Sequence, residues 1–283
     1  MLLQAIYEVP EGERGKLPQG FSENSQTEGR SDKAEAIVST AVNAAIYLNP
    51  ESSPTRIALI SKVFLLAWLQ DDVVEFDSSG ETTTAVDIII REWPEIVTNP
   101  EINLTSPTTI SASIAHELIC ESPVLGREVM KGLLAFIFSQ PRKEFSGFRD
   151  FLDYRAVNVA AELSPGESSV LDKFLQLAYD HLLLVNDLYS FEKEKREFEE
   201  QGATISNAVY YLESTLSVHP NTAKLVALDV IHQTEAQLSA EFSKLRSNGL
   251  SQQQLKYACA ILECTAGNIV YSLTAKREDY LLG

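Results

Sequence analysis

The chain has 283 residues, 45% of them hydrophobic, enough to bury a substantial core in one large domain or two small ones. Its formal net charge is −17 and it has no Lys- or Arg-rich stretch, which argues against nucleic acid as a partner. No apolar stretch reaches ~18 residues without a charge, so no transmembrane span is expected.

Residues 1–31 carry Pro10, Gly12, Gly15, Pro18, Gly20 and Gly29 among polar neighbours and read as a flexible N-terminal arm. They lack the basic start and long apolar core of a signal peptide, so a cytoplasmic location is expected. From Asp32 to Gly283 the pattern is helical nearly everywhere. Breakers cluster at 49–54, 78–81, 98–107, 141–147 and 164–167. Ser122-Pro123 predicts an N-cap with proline in the first turn. Pro220 opens another helix, and Asn248-Gly249 closes it as a left-handed cap would. Ser251 and Gln254 form a capping box for the last helix. No segment alternates like a strand between hairpin turns, and no repeat or linker interrupts the pattern. The expectation is one all-α domain over 32–283 built from about ten helices. The helices around 57–75 and 168–199 should be central, because they are the most apolar.

Two acidic clusters interrupt those apolar helices. Asp71-Asp72-Val73-Val74-Glu75 ends the first, and Asn186-Asp187-Leu188-Tyr189-Ser190-Phe191-Glu192-Lys193-Glu194 lies in the second. On a helix, residues at i and i+4 share a face. Asp71 and Glu75 therefore point the same way, and Asn186, Ser190 and Glu194 form one oxygen-bearing stripe. Such a stripe suits a hard cation such as Mg²⁺, which favours oxygen ligands and shares its sphere with substrate phosphate. An acid pair at a helix end is common and says little alone. The second stripe is more restrictive, because acids in an apolar helix are normally paired or metal-bound. Cys120, Cys259 and Cys264 have no CxxC spacing and read as reduced, buried thiols. The four histidines offer no zinc signature, and His181 reads as a satisfied histidine rather than a ligand.

The sequence DDVVE, followed about 110 residues later by NDLYSFEKE, resembles the paired metal-binding motifs of class I terpene synthases. NDLYSFEKE and the following TISNAVYYL are similar to fungal enzymes acting on geranylgeranyl or longer diphosphates. The resemblance spans most of residues 35–280. It implies a single-domain helical bundle enclosing an apolar active-site cavity, and a complement of about three Mg²⁺ ions. Asp71, with Asp72 and Glu75, would hold metal at one motif, and Asn186, Ser190 and Glu194 at the other. In FRDFLDYRAVNV, Arg155 matches the family's diphosphate-sensing arginine; the alternative is a pair with Asp153 or Glu162. Lys193 would reach phosphate or else form a surface i,i+4 pair. Arg277 matches an arginine of the closing helix. The tyrosine that follows it in the family is replaced by Glu278, leaving Tyr280 as the nearby substitute. Phe64 and Trp68, on the Asp71 face, are expected to line the substrate pocket, as are Phe151 and Tyr271; ordinary core packing is the competing reading for each.

The function implied is a Mg²⁺-dependent cyclase that ionises geranylgeranyl diphosphate and closes the cation to a polycyclic diterpene hydrocarbon. Farnesyl or geranylfarnesyl diphosphate is the alternative substrate. A prenyltransferase should carry two DDxxD-type motifs, and only one aspartate-rich motif is present here. A non-catalytic helical scaffold is the remaining rival. A homodimer, or association with a prenyltransferase, is left open.

Overall fold

The computed structural model describes residues 28–76, 83–99, 109–138, 142, 144–158 and 170–274; at 28–34, 69–76, 83–88 and 157–158 it describes the backbone only. Among the described residues there are ten α-helices and no strand: α1 (Glu28–Leu48), α2 (Pro54–Phe76), α3 (Thr83–Thr98), α4 (Ile110–Glu121), α5 (Pro123–Phe138), α6 (Phe148–Asn158), α7 (Asp172–Gln201), α8 (Ala208–Leu216), α9 (Pro220–Ser247) and α10 (Gln252–Thr274). Helix α1 starts at Glu28, within the stretch expected as an arm, and residues 1–27 lie outside the described residues.

Local chemistry sets the helix ends. Thr109 caps α4 by accepting a bond from Ala112 N at 3.0 Å. Ser122 caps α5 through Leu125 N at 3.3 Å, and Pro123 occupies the first turn, where a missing N–H costs nothing. Gly202 and Gly249 take positive φ (70° and 80°) just beyond α7 and α9, a conformation glycine adopts without a Cβ clash. The capping box before α10 forms reciprocally: Ser251 N reaches Gln254 Oε1 at 3.0 Å, and Gln254 N reaches Ser251 Oγ at 3.2 Å.

Helix α7 packs against α6, α8, α9 and α10. Phe174, Leu183, Leu184, Val185 and Phe191 are all buried on it, together with the polar Asp180, His181, Asp187 and Glu197. As a whole, however, α7 is rich in charged residues rather than one of the most apolar helices. A second core, around the fully buried Trp93 and Met130, joins α2, α3, α4 and α5. Helices α1 and α10 approach closely because position 267 is glycine: a Cβ there would lie 1.6 Å from Tyr47 O. The contacts α2–α1–α10–α7–α6–α5–α4–α2 close a ring of helices. Within it α2 and α7 stand on opposite sides. No helix among the described residues is long and apolar enough to cross a membrane.

Candidate active site

Helix α7 carries Asn186 half-buried, Ser190 buried and Glu194 half-buried on successive turns. Ser190 Oγ donates to Asn186 O at 2.8 Å, so its proton is spent on the backbone and its lone pairs face outward. Glu194 Oε2 accepts from Asn207 Nδ2 at 3.1 Å, and the same nitrogen lies 3.5 Å from Ser190 Oγ. The hydroxyl and carboxylate oxygens both face the Asn207 amide nitrogen. This all-oxygen donor set fits a hard divalent cation. Among the described residues no group of three or more His, Cys, Asp or Glu is placed to hold a metal ion.

Beside the stripe, Asp187 is fully buried and joins three helices. Its Oδ1 accepts from Arg155 Nη2 of α6 at 2.6 Å, and its Oδ2 from Ala208 N, at the start of α8, at 2.7 Å. Arg155 thus reaches past Asp153 to Asp187 on the neighbouring helix. Asp153 instead takes Arg149 Nη2 at 2.7 Å, and Glu162 lies outside the described residues. Burial pushes the Asp187 carboxyl up, to about 6; Arg155 opposes the rise and the nearby Glu194 adds to it. Lys193 Nζ sits 3.3 Å from Glu197 Oε1, the i,i+4 arrangement on α7. Lys195 ties α7 to α8 through Glu213 at 2.7 Å.

Asp71, Asp72 and Glu75 fall in the last turns of α2, across the ring from α7, and their side chains lie outside the described residues. Arg277 and Tyr280 also lie outside them. Phe64 and Trp68 are half-buried on α2, their rings stacked with centroids 6.1 Å apart. Phe151 is buried in an aromatic cluster, 4.7 Å from the Tyr211 ring and 5.1 Å from that of Phe145. Buried Tyr271 borders a cleft of about 110 Å³ between α1 and α10, with Thr40, Asn43, Tyr47 and Thr274. His181 is fully buried, with Nε2 3.1 Å from Glu235 Oε1 of α9. All three cysteines are free, but none is fully buried: Cys120 is exposed, and Cys259 and Cys264 are half-buried.

Two polar residues at this site escaped the helical-face argument. Asp187 follows Asn186 directly, on another face of α7, so i,i+4 spacing passes it over. Asn207 carries the ordinary signature of an N-cap, an Asn ahead of the apolar run Ala208-Val209-Tyr210-Tyr211, which says nothing of α7.

No family model matches the chain. It is 28% identical to terpene cyclase 6 of Gibberella fujikuroi over 94% of its own length and 72% of that protein. It is 30% identical to terpene cyclase aneC of Aspergillus aculeatus over 92% of its length, and spans 63% of that protein. The fold is similar to the crystal structure of aristolochene synthase from Penicillium roqueforti, with a TM-score of 0.65, 17% identity, and coverage of 87% of this chain and 88% of that one. In sequence the chain is thus similar to fungal terpene cyclases over nearly its whole length, and in fold to aristolochene synthase.

Proposed function

We propose that this chain ionises geranylgeranyl diphosphate and cyclises the resulting carbocation to a polycyclic diterpene hydrocarbon, releasing diphosphate. The observation that carries the reading is the alignment of Asn186, Ser190 and Glu194 on successive turns of α7, beside the Arg155–Asp187 pair. Breaking the allylic carbon–oxygen bond develops negative charge on the diphosphate, and preorganised positive charge is the largest stabilisation available to it. With a net charge of −17, the protein opposes a polyanionic substrate unless cations offset both. Mg²⁺ supplies that charge when bound, polarising the phosphate oxygens of the leaving group.

Asn186, Ser190 and Glu194 would hold one ion, and Asp71, supported by Asp72 and Glu75, would hold others from the facing helix. Arg155, only 12% exposed at its side chain, presents a guanidinium next to the metal stripe. It can serve the departing diphosphate while Asp187 fixes its orientation. Lys193, Arg277 and Tyr280 are the further diphosphate contacts in this reading. Phe64 and Trp68 offer stacked ring faces to the cation, each worth about 0.5–2 kcal/mol. Phe151 and Tyr271 contribute to the same walls. The C20 substrate rests on the likeness of the NDLYSFEKE and TISNAVYYL segments to enzymes of that class; farnesyl and geranylfarnesyl diphosphate are the alternatives.

Incubation with Mg²⁺ and each of the three prenyl diphosphates, followed by gas chromatography and a diphosphate-release assay, tests the proposal. A cyclic hydrocarbon from the C20 substrate is expected. Product from only the C15 or C25 substrate would reassign the chain length, and intact substrate in every case would overturn the cyclase reading.

A further inference from the structure

We infer that Asn207 is a positioning residue, outside the metal-ligand set, that holds Ser190 and Glu194 in register for the cation; the inference rests on the function proposed above. Asn207 is 1% exposed and sits at the N-cap of α8. Its Oδ1 accepts from Val209 N at 2.8 Å, the normal work of a cap. That bond fixes the amide plane and turns Nδ2 toward α7. There Nδ2 meets Asp187 O at 2.8 Å, Glu194 Oε2 at 3.1 Å and Ser190 Oγ at 3.5 Å.

An amide nitrogen has two protons to give. The backbone oxygen of Asp187 takes the shortest bond, and the Glu194 carboxylate takes the better placed of the other two. Capping alone needs only the oxygen of this side chain, so Ser, Thr or Asp would serve as well at position 207. What they lack is the donor that clamps Glu194. A glutamate on a helix surface has several rotamers open to it, and holding one costs side-chain entropy. Here that ordering is in place before any ion arrives. Asp187, bonded to the next residue at Ala208 N, locks the same junction from the other side. The start of α8 is thereby pinned to α7 at the metal stripe.

The test is Mn²⁺ titration, followed by electron paramagnetic resonance, of the whole chain with inorganic pyrophosphate present. Asn207→Ser keeps the cap and removes the donor. It should weaken Mn²⁺ binding by about tenfold or more, the scale of losing a group that orients a ligand. The metal-free melting temperature should stay within about 5 °C of the wild type. If the serine variant does not fold, Asn207→Asp retains both cap and volume, and the same loss is expected because a carboxylate then faces Glu194. A smaller loss of binding overturns the inference while leaving the proposed function standing. A larger fall in melting temperature assigns Asn207 a purely structural role and overturns it too. Failure of the wild-type chain to bind Mn²⁺ and pyrophosphate would overturn the function proposed above and this inference with it.

Discussion

Arg155 and Asp187 lie 32 residues apart in sequence and meet at 2.6 Å, with the aspartate wholly buried and the arginine nearly so. The pair joins α6 to α7, and the second carboxylate oxygen carries the link on to α8 through Ala208 N. Removing one member of a buried pair strands the other charge away from water. Asp187→Ala should therefore cost about 3–5 kcal/mol of stability, read from urea unfolding. A loss under about 1 kcal/mol would class the pair with exposed bridges that solvent screens.

The proposed metal stripe should behave in the opposite way. Asn186 and Glu194 are half-buried, and their removal leaves no large cavity. Glu194→Gln and Asn186→Ala should each change stability by less than about 1 kcal/mol. Diphosphate release should fall by about 100-fold or more, because the cation loses an oxygen ligand. Turnover at the wild-type rate in either variant would remove that residue from the ligand set.

Two helical glycines should respond with opposite signs to the same substitution. Gly267→Ala places a Cβ 1.6 Å from Tyr47 O, forcing α10 away from α1. A destabilisation of about 1–3 kcal/mol or more is expected from such overpacking. Gly132, inside α5, has no atom within 4 Å of its notional Cβ. Gly132→Ala should stabilise by about 0.5–1 kcal/mol through helix propensity. Thermal melts of the two variants on either side of the wild type would bear this out; a shift in the same direction for both would refute it.

The acid limb of the stability curve should carry a signature of Asp150. Its carboxylate accepts from both Arg142 Nη1 and Nη2, at 2.8 and 2.7 Å, and from Ser146 N at 2.8 Å. Those bonds, Arg142 foremost, hold its pKa at about 2, below the ordinary 3.8. The folded chain thus binds fewer protons than the unfolded one in that window. The contribution is complete above about pH 4 and is lost as pH falls toward 2. Melting temperatures of Asp150→Asn should therefore drop less steeply than the wild type's over that range. Parallel curves would mean that the Arg142 contact contributes nothing to folding.

Much of this protein is readable from residue order because the relevant physics is local. Helix caps act over three or four residues, which is why Ser122-Pro123, Asn248-Gly249 and the Ser251–Gln254 box mark real boundaries. The Asn186–Ser190–Glu194 stripe follows from helical periodicity alone, as does the shared face of Phe64 and Trp68. The apolar run before Asn186 likewise marks the part of α7 that is buried, Leu183 to Val185, although the helix as a whole is rich in charge.

What residue order could not reveal is which partners other helices bring. Asp187 is off the stripe by periodicity, and its role appears only where α6 delivers Arg155 and α8 delivers Ala208 N. Arg155 had Asp153 nearer in sequence, yet Asp153 is taken by Arg149, and packing of α6 on α7 brings Asp187 to the guanidinium. Asn207 looks like any cap until the α7–α8 packing sets its amide against Glu194. Periodicity acts within one helix, whereas a buried charge or amide takes the partner that close packing places within reach, whatever the separation along the chain.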